Sequence, residues 1–426
     1  MKIAVIGGGK MGLPLACMFA HRGANVAVCD LDRSIVDSIN HGADPHGEPE
    51  QDCYVREGVS AGRLCATVDT TAAVSESNAV VVLVSAKLTP GRDIDWTNLI
   101  AASTAVAKGL RRGTIVSYET TMPVGGTRDN LVPVLATSGL QPGRDVPVVF
   151  SPERVKSRHI FEHLLDTPKI VGGIDAASAA VGQKFYERWL GAPVTNVGTL
   201  EAAEFVKLAG MIYRDANIAI ANELSLIAES MNLDIWPLLK AANTDGETHL
   251  LQPGIGVGGH CTPVYPHFLI NQGAKLGLDL DLTKKSRALN EQQPGRQLQR
   301  LGDELGGLAG KHVHILGLSF RPQVKEASYS PAYSLQAELA GLHAKATIED
   351  PMYSDQELVA MGFMPARAGL NHMDAVVLNT AHPEFAKPDF RAWTACGVRA
   401  ILDGRGIWSK ESVEAAGLTY VGVGRG

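Results

Sequence analysis

The sequence predicts an α/β protein with two doubly wound domains joined by a central helical domain containing a long helix. Three observations carry that expectation. Short Val- and Ile-rich runs alternate with helical patterns through the first half. A long helical pattern without Pro or a run of Gly then occupies residues 199–231, and strand-helix alternation resumes at His312. With 426 residues, the chain exceeds one ordinary core and implies two or three domains.

Residues 2–6, 26–30, 79–85, 114–118 and 146–150 read as strands. Each is short, apolar on both faces and bounded by Gly, Pro or Asp, as central strands of a parallel sheet are. Residues 13–21 and 97–108 read as helices between them, giving a βαβ rhythm. The character changes near Gly198. In 199–231 apolar residues recur at spacings of three and four, the period of a helix with buried faces. Residues 235–242, 266–276 and 285–305 also read as helical, and a Gly-rich loop covers 252–260. Residues 312–316, 345–348, 375–379 and 400–403 read as strands, with Gly317 directly after the first. The expected domains are a Rossmann-like 1–198, a helical 199–305 and a second Rossmann-like 306–426. The two α/β ends are candidates for structural duplicates, although no residue-level match is visible. No internal repeat of solenoid length and no low-complexity tract is present.

Composition limits the function. Hydrophobic residues make up 45% and charged residues 20%, the balance of a globular protein. A net charge of −6 argues against a general nucleic-acid binder, which needs clustered positive charge, but leaves room for a local anion site. Cys17, Cys29, Cys53, Cys65, Cys261 and Cys396 show no CxxC pair and no metal-finger spacing, which fits a reducing, cytoplasmic location. No apolar run approaches the roughly 20 residues that span a bilayer. The stretch after Lys2 stops at Gly7-Gly8-Gly9, so a buried strand is expected rather than a targeting segment. His312 and His314 alternate on one strand; without a third ligand they read as core or edge residues, and no metal is assigned. Trp189, Trp236, Trp393 and Trp408 follow no pattern and read as core.

The first motif is Gly7-Gly8-Gly9-Lys10-Met11-Gly12, which satisfies G-x-G-x-x-G through Gly7, Gly9 and Gly12. The motif alone is weak, but here it follows a predicted strand and opens a predicted helix. In that setting Gly7 makes the tight turn, Gly9 lets a pyrophosphate approach and Gly12 packs helix on strand. The helix start supplies N–H groups and partial positive charge. Asp30 ends the second predicted strand, where a carboxylate accepts hydrogen bonds from ribose hydroxyls and repels a 2′-phosphate, favouring NAD over NADP. Arg33 is compatible with either a 2′-phosphate contact or stacking on adenine.

The second motif is the loop Gln252-Pro253-Gly254-Ile255-Gly256-Val257-Gly258-Gly259-His260-Cys261. Its glycines indicate a backbone that bends sharply or lies close to a ligand. Cys261 is then either a packed small residue or, if its thiolate is stabilised, a nucleophile. His260 either lowers its pKa or is structural. The third motif is the helix bearing Glu201, Glu204 and Lys207 and continuing through Tyr213-Arg214-Asp215 to Asn217. Lys207 and Asn217 either face a site or lie on a solvated face.

Taken together, these segments resemble the UDP-glucose/GDP-mannose dehydrogenase family over essentially the whole chain. The matching features come in family order. They are the glycine motif, Thr120-Thr121-Met122-Pro123-Val124-Gly125, Ser151-Pro152-Glu153-Arg154, the Lys207 helix, the cysteine loop and Gly317-Leu318-Ser319-Phe320-Arg321-Pro322. The Gly-Gly-His-Cys form is closer to the branch acting on UDP-N-acetylhexosamines. The resemblance implies oxidation of a sugar C6 alcohol to a carboxylate, with Cys261 forming a thiohemiacetal and then a thioester. It implies Lys207 as oxyanion stabiliser, Glu153 as a base or water-positioning group, and Thr121 lining the site. Lys10, Met11, Ser85 and Thr121 join the NAD contacts. Glu153, Arg154, Lys207, Gly258, Gly259, Arg321 and Lys325 form the nucleotide-sugar set, and the long helix would make a homodimer. Three positions depart from the family: Met211 stands where Asn is usual, Tyr265 where Asp is common, and Glu247 near an expected arginine. They leave open a related dehydrogenase that stops after one oxidation. A non-catalytic nucleotide-sugar binder is the second alternative, but it would have no need of both Lys207 and Cys261. A shorter hydroxy-acid dehydrogenase would not explain the second α/β domain.

Overall fold

The computed structural model describes residues 1–366 and 372–426. The chain divides into two compact units, Met1–Gly210 with His267–Leu278, and Met211–Pro266 with Asp279–Gly426.

The first unit contains β1 (Lys2–Ile6), β2 (Asn25–Cys29), β3 (Leu64–Thr67), β4 (Ala79–Val82), β5 (Lys87–Leu88), β6 (Ile94–Asp95), β7 (Ile115–Tyr118), β8 (Val148–Phe150), β9 (Lys169–Gly173) and β10 (Val194–Thr199). Eight of them form one sheet in the order β10-β9-β8-β7-β4-β1-β2-β3, while β5 and β6 pair as a small antiparallel ribbon. The run from β3 to β8 has the doubly wound Rossmann order. Val5 pairs with Val28 on one side and Val81 on the other, so its side chain is enclosed on both sides within the sheet. The helix Gly12–His21 is buried from Gly12 to Ala20, which accounts for its nearly all-apolar sequence. Phe19 on that helix packs on Phe185 with ring centroids 5.5 Å apart.

Two features of this sheet depart from the sequence reading. β9 runs antiparallel to β8, so the sheet is not wholly parallel. β3, β9 and β10 were not expected as strands. β9 ends in two glycines, which interrupt the apolar run that marks a strand; in the fold a Cβ on Gly172 would lie 1.9 Å from the Thr199 carbonyl oxygen and one on Gly173 2.2 Å from the Ala179 nitrogen. Glycine there permits close backbone approach inside a strand.

The second unit contains β11 (His312–Leu316), β12 (Lys345–Glu349), β13 (Ala375–Leu378), β14 (Ala400–Asp403) and β15 (Thr419–Gly422). Their order is β12-β11-β13-β14-β15, all parallel, which is the second common doubly wound order. β15 was also not expected; its mixed Thr-Tyr-Val-Gly composition lacks the apolar run of a central strand because it is the edge strand. The helix Leu200–Ser230 runs from the first unit into the second, followed by helices Ile235–Ala242, Tyr265–Lys275 and Asp281–Leu305. Of the tryptophans, Trp408 is buried against Trp393 and Phe390, whereas Trp189, Trp236 and Trp393 are only half-buried. Among the described residues, no helix is long and apolar enough to cross a membrane.

Candidate functional site

In the first unit, Gly7 follows β1 with φ of +105°, and a Cβ there would lie 2.6 Å from the Leu83 carbonyl oxygen. A Cβ on Gly12 would come within 1.9 Å of the Gly7 carbonyl oxygen. Both glycines are therefore demanded by the turn itself. Gly9 is different, since a side chain there would meet nothing within 4 Å. Packing does not require glycine at that position, and the bare backbone at the start of helix Gly12–His21 suits an anion's approach. Asp30, just after β2, accepts the Gly8 N–H at 2.8 Å through Oδ2 and the Asp32 N–H at 2.9 Å through Oδ1. Its carboxylate is thus aimed at the glycine turn, with lone pairs left for hydroxyl donors. Lys10 lies in the turn, while the Met11 side chain packs against the core. Arg33 opens the helix Arg33–Asn40 and is exposed, as is Ser85 beyond β4. These residues fit NAD.

β7 delivers the next group. Thr121 is buried, and the neighbouring Thr120 hydroxyl donates to the Val84 carbonyl at 2.7 Å. Behind them Glu119 is fully buried, accepting from Lys169 Nζ at 2.5 Å and from the Tyr186 hydroxyl at 2.7 Å. Burial raises the Glu119 carboxyl pKa, opposed by the Lys169 ammonium. Removing one partner of such a pair typically costs about 3–5 kcal/mol, because it strands a buried charge. The segment after β8 carries Glu153, whose carboxylate accepts the Val155 N–H, and Arg154, whose guanidinium donates to the Pro168 carbonyl. Partial burial lowers the Arg154 pKa.

The beginning of helix Leu200–Ser230 ties these segments together. Lys207 is buried and donates through Nζ to the Glu153 carbonyl at 2.5 Å. One turn earlier, the fully buried Glu204 accepts the Gly125 N–H at 2.6 Å and both the N–H and hydroxyl of Thr127 at 2.9 and 2.6 Å. Burial pushes Glu204 up to about 7, although these donors stabilise its ionised form. One helix therefore anchors both the Thr121 segment and the Glu153 segment.

In the second unit, the cysteine loop owes its glycines to protein contacts. A Cβ on Gly258 would lie 2.7 Å from Phe320 Cβ, and one on Gly259, at φ of +94°, 2.8 Å from Phe320 Cε2. The Gly259 N–H donates to the Ser328 carbonyl at 2.8 Å. The sequence pointed to a sharp bend or a close ligand, and the neighbour that the structure places against Gly258 and Gly259 is the Phe320 side chain. Cys261 is partly accessible, and its carbonyl accepts the Tyr265 N–H at 2.9 Å at the start of helix Tyr265–Lys275. Tyr265 itself is buried, with its hydroxyl 3.5 Å from His260 Nδ1.

Sequence reasoning left Arg214 without a role. Burial lowers its pKa, the nearby Arg321 lowers it further, and Cys261 acts in the opposite direction. Arg214 thus brings positive charge to the neighbourhood of the thiol. It also overlooked a buried polar ladder that holds both ends of the loop. Arg287 donates to Asp215 Oδ1 at 2.7 Å and to the Thr262 carbonyl at 3.2 Å. Asn222 accepts the Gly254 N–H at 2.9 Å while donating to Asn290 at 2.9 Å. Asp215 and Asn222 are seven residues apart on one helix face, a spacing that marks them as neighbours along it. Asn217 grips the His249 carbonyl at 2.7 Å and the Leu251 N–H at 2.7 Å, so it positions the chain leading into the loop. Lys325 reaches Glu357 at 2.5 Å and lies over the Tyr353 ring, and Arg321 lies over Phe320. Met211 is half-buried, and Glu247 is exposed in a turn organised by Asp245. His312 and His314 both bond the Thr347 hydroxyl, at 2.9 and 3.0 Å.

Comparisons with known proteins bear on the family and the fold. Residues 1–190 match the NAD-binding domain of the UDP-glucose/GDP-mannose dehydrogenase family, residues 201–292 its central domain and residues 314–410 its UDP-binding domain. The chain is 32% identical to a UDP-N-acetyl-D-mannosamine dehydrogenase of Pyrococcus horikoshii, covering 100% of both chains. It is 31% identical to an NDP-N-acetyl-D-galactosaminuronic acid dehydrogenase of Ralstonia nicotianae, covering 97% of each. The solved structure of a UDP-D-ManNAc dehydrogenase from Pyrococcus horikoshii superposes with a TM-score of 0.89 at 31% identity, covering 100% of both chains. With an NAD-binding domain, a nucleotide-sugar domain and dehydrogenase relatives along its full length, the chain belongs to the UDP-glucose/GDP-mannose dehydrogenase family.

Proposed function

We propose that this dehydrogenase oxidises the C6 alcohol of a nucleotide-linked N-acetylhexosamine, with UDP as the nucleotide, to the uronic acid through a covalent Cys261 adduct. The observation that carries the reading is the setting of Cys261. It is a partly accessible thiol on a loop clamped at both ends, with Arg214 bringing positive charge nearby. Nearby cations stabilise a thiolate, which is the nucleophilic form. The names of the aligned relatives support the sugar class.

Two NAD molecules, bound in turn beside Gly7, Gly9, Gly12 and Asp30, would each supply a one-hydride acceptor, one for the alcohol stage and one for the thiohemiacetal stage. The chain's own groups perform the rest. A base removes the C6 hydroxyl proton, and Lys207 stabilises the oxygen as negative charge develops. The Cys261 thiolate adds to the aldehyde carbon, forming a C–S bond, because a tetrahedral adduct releases hydride more readily than an aldehyde. Water then attacks the thioester, assisted by Glu153, and the C–S bond breaks to return the thiolate. Arg154, Gly258, Gly259, Arg321 and Lys325 contribute to nucleotide-sugar binding, and Thr121 lines the cofactor side.

The proposal extends to a homodimer. Tyr213, Ile220, Leu224 and Ile227 form an exposed apolar stripe along helix Leu200–Ser230 at the spacing of one helix face, with exposed Met231 just beyond its end. Light scattering on purified protein should give twice the chain mass; a monomer at micromolar concentration would refute the pairing.

The test of the reaction is NADH formed per sugar consumed, with excess NAD, a panel of UDP-, TDP- and GDP-sugars, and Cys261→Ser alongside. Two NADH per UDP-N-acetylhexosamine, with the variant stalled, is the expected result. One NADH per sugar, unaffected by the variant, would refute the covalent route and favour a single oxidation, for which Met211, Tyr265 and Glu247 would then account.

A further inference from the structure

Residues 41–50, ahead of helix Gln51–Ser60, have no regular structure, yet they are closely tied down. Asp44 accepts the N–H groups of His46 and Glu48 at 2.8 and 3.1 Å, and the Gln51 side-chain amide at 2.5 Å. Glu48 and Gln51 are buried although both are polar. Two of its side-chain contacts reach segments far along the chain. His46 Nε2 lies 2.7 Å from the Gly8 carbonyl oxygen, and a carboxylate oxygen of Glu48 accepts the Arg158 N–H at 2.8 Å. Since a carbonyl only accepts, His46 must carry its proton on Nε2 in this contact.

The Gly8 carbonyl shares a planar trans peptide with the Gly9 N–H, and the two point in opposite directions. Holding the carbonyl toward His46 therefore turns the Gly9 N–H toward the other side. The Gly8 N–H is held by Asp30 at 2.8 Å, so the residue is gripped from both ends. Glycines have the most backbone freedom to lose on binding, and fixing them beforehand removes that cost from the ligand's affinity.

We propose that His46 is a positioning residue that presets the Gly8–Gly9 peptide for the dinucleotide pyrophosphate. Through Glu48, the same strap holds the glycine turn in register with the segment 151–159. The strap joins the cofactor turn to the segment that carries Glu153 and Arg154, all within the first unit.

The test is direct NADH binding, followed by fluorescence without any sugar so that it does not depend on the proposed reaction. His46→Ala should weaken NADH binding on the order of fivefold, the value of one hydrogen bond. His46→Gln, whose amide can still donate to the Gly8 carbonyl, should restore it to within about twofold. Glu48→Ala should weaken binding by a smaller factor, and the double variant His46→Ala/Glu48→Ala should be no weaker than His46→Ala alone, because both act through one strap. Wild-type binding by His46→Ala, failure of glutamine to restore it, or additive losses in the double variant would each overturn the proposal. If His46→Ala did not fold, His46→Asn, which is too short to reach, takes its place. Equal affinity of the Asn and Gln variants would then refute the role.

Discussion

The two glycine turns, after β1 and after β11, are built alike and used differently. The Gly7 N–H donates to the Cys29 carbonyl at 2.8 Å, and the Gly317 N–H to the Glu349 carbonyl at 2.8 Å; both partners end the neighbouring strand. Gly7 has φ of +105° and Gly317 of +98°, and each would place a Cβ against the chain leaving the next strand over, Leu83 and Thr380. Each turn is also faced by an aspartate just after that neighbouring strand, Asp30 and Asp350. The residue-level correspondence absent from the sequence is thus present in the structure. The aspartates differ in what they have left to offer. Asp30 is half-buried, with a single contact to the turn. Asp350 is buried, accepting the Leu318 and Ser319 N–H groups at 2.7 and 2.8 Å, the Met352 N–H at 2.7 Å and a contact from the fully buried His382 at 3.2 Å. The same scaffold position leaves acceptor capacity open in one unit and is taken up by the fold itself in the other. A shared turn geometry therefore does not by itself indicate a second dinucleotide site.

That contrast can be broken by mutation. The largest effect is expected for Asp350→Asn, which sets an amide against backbone donors in a buried place. A loss of about 4 kcal/mol of stability is expected by denaturant titration, and an unchanged midpoint would refute the structural role. Next comes pH. Burial raises Glu204 to about 7, above its unfolded value, so the folded state binds the extra proton. Its contribution is fully present below the unfolded carboxylate range and is lost as pH rises toward 7, by at most about 3 kcal/mol. Glu204→Gln should flatten the stability profile between pH 4.5 and about 7, and an unaltered slope would contradict the assignment. Asp350 has the opposite sign. Its carboxyl is held below its ordinary value, as burial is outweighed by the His382 and backbone donors, so its contribution is lost as pH falls through the folded-state value.

Smaller effects belong to the open turn. Gly9→Ala meets no atom within 4 Å, so stability should hold while NADH binding weakens roughly tenfold, seen by fluorescence titration. Retained affinity would remove Gly9 from the cofactor site. Asp30→Asn should cost under about 1 kcal/mol of stability and weaken NADH binding about threefold, sharpening the difference from Asp350→Asn.

How far the sequence could be read depended on whether the signal was local. The strand at 312–316 and the helix at 235–242 were read with their observed ends, because an apolar run or a 3.6-residue period needs no distant partner. β9 escaped because Gly172 and Gly173 interrupt its apolar run, and only the fold shows Thr199 and Ala179 pressed against them. In the site, the Gly7 turn and the Gly-rich loop were visible as motifs. Glu204, Arg214 and Asp215 stood in the helix motif without a role, and Asn222 and Arg287 were given none, since their partners lie far along the chain.

The sequence by itself determined the α/β-helical-α/β layout, the glycine turn followed by Asp30, and the Gly-rich character of the loop before Cys261. Each of these is carried by spacing along a few residues, where backbone geometry is set by neighbours in the chain. Only the tertiary structure decided that the cysteine-loop glycines make room for Phe320. It alone placed Lys207 on the Glu153 carbonyl and closed Asp350 off from solvent while leaving Asp30 accessible. Burial and hydrogen-bond partners are properties of the packed interior, set by residues that the chain brings together from tens to hundreds of positions away.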